Sequence, residues 1–444
     1  MRARNWELFG LVPAALLVSA GFAAIYIQRS NQLSTVSLVY GGVFLGLCLA
    51  GHIFIRITLP HADPFIFPLV AVLACFGVVM VYRIDGATLA RQQAQWFVLG
   101  LVLFAGTVLI FRDYRKLENY RYLIMIGSVL LLLLPRVPHV GVSTGGAYLA
   151  IHLPGITFQP TEIAKVGLVI FLASYLRDHR QALASGRRIL GYAIPPLKHL
   201  GPLLVLWGAA MLALIVIKDI GSSLMFYGAL LAILYVATDR ISFVIVGLLL
   251  FAGGAWYLGT HIQHIDARVL DWLHPFSPKL YNDPLGSYQL ANAQFAMAAG
   301  GLFGQGFGQS LLVVPGTHNL FIPVPSTDMI YAIITSELGL FGAAGLLLVY
   351  LLFVARGFKA AMLARDSFSK LLAVGLSSVF GLQVFVIVGG VTRVIPLTGV
   401  PLPFVSYGGS SILANFVLVA LMLLVSDRAR RPTIQPLRNM EMVP

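Results

Sequence analysis

The sequence predicts an all-α polytopic membrane protein with about twelve transmembrane helices and a large extracytoplasmic loop between spans nine and ten. Of the 444 residues, 58% are hydrophobic and only 11% are charged, whereas soluble domains average about 25% charged residues. The mean hydropathy of the whole chain is +0.87. Uninterrupted apolar runs of about 20 residues, long enough to cross a bilayer as a helix, recur along the chain. These observations disfavour a soluble protein.

The apolar runs place the spans in the following order. The first nine lie at about 6–28, 35–57, 64–83, 94–111, 120–135, 161–177, 199–217, 220–238 and 241–260. After a long polar segment, the last three lie at about 329–355, 368–392 and 410–426. Proline marks several boundaries, because it is tolerated in a first helical turn but not in a helix interior. The fifth span ends at Pro135, and Pro160 opens the sixth.

Basic residues between the spans predict the orientation of the chain. Lys and Arg concentrate in the cytoplasmic loops of membrane proteins. Here they collect on one side, at Arg112, Arg115, Lys116, Arg121, Arg177, Arg180, Arg187, Arg188, Lys198, Arg356, Lys359, Arg365, Lys370, Arg428, Arg430 and Arg431. An even number of spans places both termini in the cytoplasm and segments 136–160, 261–328 and 393–409 on the outer face.

The net charge of +13 has the same topological origin. It favours contact with anionic membrane lipids. The basic residues are spread over several short loops and form no basic face interleaved with aromatic residues, so no nucleic-acid partner is predicted.

The outer segment 261–328 is the longest polar stretch and the predicted location of the chemistry. Loops on a rigid scaffold commonly carry binding and catalytic residues. Asp283, which precedes a proline, is the candidate general base, because a carboxylate beside a low-dielectric membrane surface is more basic than usual. On these grounds alone, Asp266, Asp271 and Asp328 are equal candidates.

Charged residues within the spans are costly and need a reason. Glu162 and Lys165 are one helical turn apart, so they can pair on one face, either as a structural ion pair or as the lining of a polar cavity. Glu337 is expected to face the interior of the bundle. Arg393, at the outer end of the eleventh span, can snorkel or hold a phosphate. Residues 408–411 form a glycine turn before a helix whose N-terminus can bind an anion.

Other motifs have structural interpretations. The glycines between 300 and 308 allow close backbone approach but lack the strand–glycine–helix context of a nucleotide site. Lys218 and Asp219 are interpreted as a helix end. Cys48 and Cys75 are interpreted as small core residues, and the histidines lack the ligand spacing of a metal site.

Five motifs, in order, resemble those of the SEDS family (shape, elongation, division and sporulation), the RodA- and FtsW-like proteins. Residues 158–165, FQPTEIAK, resemble its Gln-Pro-Ser-Glu-x-x-Lys motif. Residues 283–289, DPLGSYQ, resemble its Asp-Pro-x-Gly-x-Gly-Tyr-Gln loop without the second glycine. Residues 300–306, GGLFGQG, are similar to its glycine run. Residues 327–339 and 396–411 are similar to two further elements, so that the resemblance covers about residues 65–426.

The resemblance implies a peptidoglycan glycosyltransferase that polymerises lipid II outside the cytoplasmic membrane by inverting transfer and releases undecaprenyl diphosphate. It implies a class B penicillin-binding protein as partner and leaves a divalent cation, Mg²⁺ or Mn²⁺, open as cofactor. The catalytic aspartate of the family falls on Asp283. Residues in or beside the matching motifs become candidate substrate-binding residues: Gln159, Glu162, Lys165, Tyr288, Gln289, Asp328, Glu337, Arg393, Ser406, Tyr407, Ser410 and Ser411.

The family usually has ten spans. The resemblance therefore divides the chain into a two-helix N-terminal extension (1–62), a ten-helix core (63–427) and a basic cytoplasmic tail (428–444). A lipid II transporter and a membrane scaffold for the penicillin-binding protein are the alternatives. Charged residues within the spans could line a transport path, but the sequence shows no inverted repeat that would support a transporter.

Overall fold

The structure, a computed structural model, is a bundle of long helices. It describes residues 2–30, 35–138, 140–144, 147–153, 156–184, 187–189, 192–194, 208, 219–261, 263–283, 286–316 and 320–432. Within these residues, nine helices are long and apolar enough to cross a membrane. The all-α polytopic fold class is confirmed.

In the first half of the chain, the described residues form seven helices. They are α1 Arg2–Gly10, α2 Val12–Ser30, α3 Thr35–Thr58, α4 Ile66–Asp85, α5 Ala87–Ile110, α6 Arg121–Leu133 and α7 Pro160–Ala184. Two 3-10 turns, Tyr114–Tyr120 and Leu134–Arg136, flank α6. Helices α1 and α2 contribute to a single span, Arg4–Ile25, and α2 packs against α3 and α4.

In the second half, the described residues form eight helices. Two precede the outer segment, α8 Ile220–Thr238 and α9 Ile241–His261. Three short helices lie within it, α10 Gln263–Leu273, α11 Pro278–Tyr281 and α12 Tyr288–Gly300. The last three are α13 Ile330–Leu363, α14 Ser367–Val391 and α15 Gly409–Arg430.

The predicted spans correspond to helices wherever the structure describes them. The predicted span 199–217 lies outside the described residues. The predicted spans 161–177 and 241–260 fall in α7 and α9, which are not among the nine. Helix α7 carries charged residues within its apolar run, and the apolar stretch of α9 is shorter, Ile241–Tyr257. The total of twelve spans therefore stays a prediction.

Outside the helices, the described residues also form five short strands. Strands β1 Gly141–Thr144, β2 Ala147–Leu153 and β3 Ile156–Phe158 form an antiparallel sheet in the order β1-β2-β3. Strands β4 Arg187–Ile189 and β5 Tyr192–Ile194 form a hairpin. The three-stranded sheet leads directly into α7, so it fixes the entry of that helix into the bundle.

The interior of the bundle is formed by α4, α14 and α15, whose side chains are mostly buried. Helix α15 packs against α5, α7 and α13, and α14 packs against α7, α8 and α13. Helices α7 and α15 therefore carry their polar side chains into the centre of the protein, where each such group needs a partner.

Helix α13 is broken at Gly339, whose φ of 67° lies in the left-handed region. The glycine loop 301–306 fills the break with backbone hydrogen bonds. Gln305 N donates to Ser336 O at 3.0 Å, and Leu340 N donates to Gly301 O at 3.0 Å. A Cβ on Gly339 would collide with the backbone of this loop. The close backbone approach expected from the glycine spacing is confirmed.

Candidate active site

Asp283 lies at the tip of a tight turn after α11. Its backbone N–H donates to Leu280 O at 3.3 Å, and Gly286 N donates to Asp283 O at 3.0 Å. Glycine is required at 286, because a Cβ there would collide with the carbonyl oxygen of Leu280. Ser287 closes the turn, with its hydroxyl donating to Pro275 O at 2.6 Å. The Asp283 side chain is exposed.

Asp271 on α10 faces Asp283. Burial raises the pKa of Asp271 to about 6, and the negative charge of Asp283 acts in the same direction. The positive charge of Arg268 opposes both effects. Two carboxylates close together disfavour simultaneous ionisation. The turn and α10 therefore bring together two of the four aspartates that the sequence left as equal candidates.

Arg268 lies near three acidic residues, Asp219, Asp271 and Asp328. Its guanidinium donates to Leu397 O at 2.9 Å and so ties α10 to the outer segment 393–409. Burial raises the pKa values of Asp219 and Asp328, and Arg268 opposes the shift in both cases. The sequence did not identify Arg268, because the carboxylates near it come from remote segments of the chain.

Asp328 lies between the long outer segment and α13. It accepts a hydrogen bond from Thr327 Oγ1 at 2.9 Å. A Cβ on Gly399 would lie 3.9 Å from its Oδ2, so the 393–409 segment passes directly over this carboxylate. The candidate site residue Asp328 therefore belongs to the same group as Arg268.

Asp219 caps the N-terminus of α8. Its Oδ1 accepts the Ser222 N–H at 3.0 Å, and its Oδ2 accepts the Ser222 hydroxyl at 2.7 Å. The helix-end interpretation of Asp219 is confirmed, whereas Lys218 lies outside the described residues. Glu162 contributes to the raised pKa of Asp219, after burial, so the acidic group continues inward to α7.

Lys165 is the centre of a buried polar network. Its Nζ donates to Glu162 Oε2 at 2.6 Å and to Gln383 Oε1 at 2.7 Å, and lies 3.4 Å from Asn415 Oδ1. The predicted pairing of Glu162 with Lys165 is confirmed. Asn415 in turn donates to Ser411 Oγ at 3.2 Å. The ammonium thus joins α7, α14 and α15.

Gln383 connects this network to the 393–409 segment. Its Nε2 donates to Pro401 O at 2.8 Å. Gln383 and Asn415 were missed by sequence reasoning, because an amide within an apolar span shows no partner in the sequence. Ser410 and Ser411, in the first turn of α15, are both buried.

Ser406 holds the 393–409 segment in place. Its Oγ accepts the Leu402 N–H at 2.9 Å and donates to Thr327 O. Its carbonyl oxygen accepts Gln93 Nε2 at 3.0 Å. Next to it, the Tyr407 hydroxyl donates to Gln92 Oε1 at 2.6 Å. The 393–409 segment is thus hydrogen-bonded to two glutamine side chains near the start of α5.

Three further candidate residues are partly buried near the outer ends of the helices. Gln289 Nε2 donates to Pro323 O at 3.0 Å. The ring of Tyr288 lies 5.1 Å from the ring of Tyr281. The carbonyl oxygen of Gln159 accepts the Glu162 N–H at 3.3 Å. Their side chains remain partly accessible.

Glu337 and Arg393, both candidate substrate-binding residues, engage protein groups. Glu337 Oε1 lies 3.1 Å from Arg83 Nε, and its Oε2 accepts the Gly308 N–H at 2.8 Å. Arg393 Nε donates to Trp272 O at 3.2 Å, and Trp272 Nε1 donates back to Arg393 O at 3.0 Å. Glu337 therefore anchors the glycine loop. The Arg393 guanidinium contacts the backbone of α10, and phosphate binding, one of its two predicted roles, stays a prediction.

The described residues do not assemble a ready metal site. In those parts of the chain, no three His, Cys, Asp or Glu side chains group so that they could hold a metal ion. The outer carboxylates lie beside Arg268, which already supplies a positive charge.

Comparisons with known proteins identify the family of the chain. Residues 61–431 match the model of the FtsW/RodA/SpoVE family, described as cell cycle proteins. The chain is 39% identical to the peptidoglycan glycosyltransferase RodA of Mycobacterium bovis, over 98% of this chain and 93% of the relative. It is 32% identical to the probable peptidoglycan glycosyltransferase FtsW of Geobacter metallireducens, over 81% of this chain and 92% of the relative.

Two solved structures share the fold. One, from a study of the structural coordination of polymerization and crosslinking by a peptidoglycan synthase complex, has a TM-score of 0.65 and 28% identity, over 83% of this chain and 98% of that one. The other is the rod shape determining protein RodA of Thermus thermophilus, with a TM-score of 0.58 and 25% identity over 84% of this chain and 98% of that one.

Proposed function

Because the chain belongs to the FtsW/RodA/SpoVE family of cell cycle proteins, we propose that it is a peptidoglycan glycosyltransferase of the bacterial plasma membrane. Its substrate is lipid II, which it polymerises into glycan strands during cell elongation or division. Both termini are cytoplasmic and the active site faces outward. This orientation rests on the distribution of Lys and Arg between the loops.

The reaction is a single inverting displacement. The acceptor hydroxyl attacks the anomeric carbon of the donor sugar, and the bond from that carbon to the diphosphate oxygen breaks. The electron pair of this bond leaves with undecaprenyl diphosphate, and the proton of the hydroxyl passes to a base. A positioned carboxylate typically contributes about 10²–10⁴-fold to such a proton transfer.

Asp283 is the proposed base. The observation that carries this assignment is its presentation on a tight turn, exposed to the outer face and opposite Asp271. The turn is held by backbone hydrogen bonds and requires glycine at 286. It therefore positions the backbone of Asp283 through main-chain contacts.

Asp271 and Arg268 are proposed to tune this base. The raised pKa of Asp271, caused by burial and by Asp283, keeps Asp271 protonated at mildly acidic pH. Arg268 offsets part of the negative charge of this group. Substrate polar groups are proposed to lie against Gln159, Tyr288, Gln289, Asp328, Tyr407 and the first turn of α15.

The buried Lys165–Glu162 network is proposed to support the site from within the helix bundle. Both side chains are buried and bonded to protein groups. Lys165 and the start of α15 are proposed to stabilise charge that develops on the departing diphosphate. The two charged side chains of this network are paired with protein groups, so the network does not favour a transport path over catalysis.

The protein is proposed to act with a class B penicillin-binding protein that cross-links the strands it makes. A solved relative belongs to a peptidoglycan synthase complex, which supports this pairing. The test is a gel assay of purified protein with labelled lipid II, with and without such a partner. A ladder of glycan strands is expected. Movement of lipid II across two-sided vesicles without any polymer would instead identify a transporter.

A further inference from the structure

Two side chains near the outer end of α5, Gln93 and Trp96, contact the backbone where the 393–409 segment enters α15. Gln93 is buried in an apolar helix, and its Nε2 donates to Ser406 O at 3.0 Å. Trp96 covers Gly409, because a Cβ on that glycine would collide with the indole ring. The two contacts therefore hold residues 406 and 409 from a single turn of α5.

The backbone held in this way is strained just before residue 406. Phe404 has a φ of 64°, in the left-handed region that residues other than glycine rarely adopt. Such backbone persists only where its surroundings fix it. The buried ring of Phe404 lies 5.2 Å from the ring of Phe416 on α15. A Cβ on Gly77 of α4 would collide with the Phe404 carbonyl oxygen. Contacts from neighbouring helices therefore determine the path of the segment.

The contact of Gln93 with Ser406 extends to a candidate site residue. The Ser406 hydroxyl donates to Thr327 O, and Thr327 Oγ1 donates to Asp328 Oδ1 at 2.9 Å. Gln93 thus stabilises the backbone against which the Asp328 carboxylate is placed. An amide within an apolar span needs a partner, and this backbone carbonyl supplies it.

Trp96 fixes the other end of the same stretch, the first turn of α15. One turn further along α5, a Cβ on Gly100 would collide with the Phe416 ring, so the two helices approach closely there. The rings of Phe97 and Phe416 lie 5.5 Å apart. This packing sets the height of the indole against Gly409. A large ring in contact with the Cα of a glycine leaves the first turn of α15 little room to move.

We propose that Gln93 and Trp96 are positioning residues for the transfer reaction. The inference rests on the proposed function, in which Lys165 and the first turn of α15 stabilise the charge on the departing diphosphate. Such stabilisation depends on donors that are already in place when the charge develops. The two α5 side chains act through the backbone of residues 406–409. Their loss therefore slows the chemical step and leaves the binding of lipid II unchanged.

The first test changes the ring that covers Gly409. Trp96→Ala removes it, and Trp96→Phe keeps a flat ring at the same place. Trp96→Ala is expected to lower kcat for lipid II at least about tenfold and to change KM by less than about twofold. Trp96→Phe should recover most of the lost rate. The matched control is Trp256→Ala on α9, where the side chain is 73% exposed, and it should keep both constants.

The second test removes the Gln93 hydrogen bond. Within the described residues Gln93 Oε1 accepts no hydrogen bond, so Gln93→Leu removes one contact only. It should lower kcat about threefold to tenfold at unchanged KM, and it gives an independent answer where Trp96→Ala does not fold. Gln95→Leu is the control, because Gln95 is exposed on the same helix. A raised KM with unchanged kcat in both test variants, or kcat within about twofold of the wild type, would overturn the inference.

Hydrogen–deuterium exchange separates this inference from the proposed function, because it needs no turnover. Tyr407 N donates to Ser326 O at 2.9 Å, and Ile412 N donates to Gly408 O at 3.1 Å. In the full-length protein in detergent, a peptide that contains both amides should exchange about tenfold faster in Trp96→Ala and at the wild-type rate in Trp256→Ala. Equal exchange in Trp96→Ala and the wild type would overturn the inference. Faster exchange in Trp96→Ala, with no polymer made by the wild type, would uphold the backbone contact and reject the proposed reaction.

Discussion

The Lys165 ammonium lies 2.7 Å from Gln383 Oε1, so one buried cation links α7 to α14 in the centre of the bundle. Glu162 supplies the neutralising charge at 2.6 Å, and the Lys165 side chain is only 1% exposed. A buried ion pair is costly to break from one side, because the remaining charge loses its partner in a low-dielectric interior. The network therefore contributes to the stability of the fold as well as to the geometry of the site.

Replacing Lys165 by Met should therefore destabilise the protein by about 3–5 kcal/mol, because Glu162 is left buried and unpaired. The double variant Lys165→Met/Glu162→Gln should recover part of the loss. Thermal unfolding in detergent, followed for both variants and for Glu162→Gln alone, measures the coupling. Strictly additive losses would show that the two side chains do not act as a pair.

The break in α13 depends on a left-handed glycine. Gly339→Ala should destabilise the protein by at least about 2 kcal/mol, because Ala is strained at this φ and its Cβ meets the glycine loop. Gly345 lies in the same helix, and a Cβ there meets no atom within 4 Å. Gly345→Ala is therefore the control, and it should be neutral or stabilising by up to ~1 kcal/mol. Equal melting temperatures for the two variants would contradict the conclusion that the break in α13 needs glycine at 339.

Asp271 should make stability depend on pH. Its folded-state pKa of about 6, raised by burial and by Asp283, lies above the ordinary value of 3.8. Stability from this group is therefore fully present below pH 3.8 and is lost as the pH rises through about 6. Asp271→Asn should remove that loss, so the variant should gain stability relative to the wild type at pH 7 and not at pH 4. Melting curves at both pH values measure the difference. A gain of equal size at both pH values would contradict the assigned pKa.

The sequence predicted the membrane fold and the local parts of the site well, because both depend on neighbouring residues. Apolar runs revealed the spans, and the one-turn spacing of Glu162 and Lys165 revealed their pair. The glycine spacing likewise indicated close backbone contact near 304. In each case the partners lie within a turn or a loop of one another, or the residue type itself carries the information.

The remaining features depend on contacts between distant segments. Gln383 and Asn415 are single amides in apolar helices, and only the packing of α7, α14 and α15 brings them to Lys165. Arg268 gathers carboxylates that are up to about sixty residues away in the chain. The sequence indicated that Glu337 needed a partner in the bundle, but not that Arg83 and the glycine loop supply it.

The sheet before α7 was missed for a different reason. Its three strands are short, so the alternation that identifies a strand extends over too few residues. The left-handed backbone at Arg393, with φ of 63°, was equally hidden, because that conformation is stabilised by the reciprocal bonds with Trp272.

The most direct test of the central claim is polymerisation of lipid II by Asp283→Asn. We expect the rate to fall by at least about 100-fold, because the variant lacks the base. The variant should remain folded, because the substitution keeps the size of the side chain and backbone hydrogen bonds hold the turn. Asp266→Asn, an exposed aspartate of the same outer segment, is the control and should keep wild-type activity. Activity of Asp283→Asn within twofold of the wild type would contradict the account.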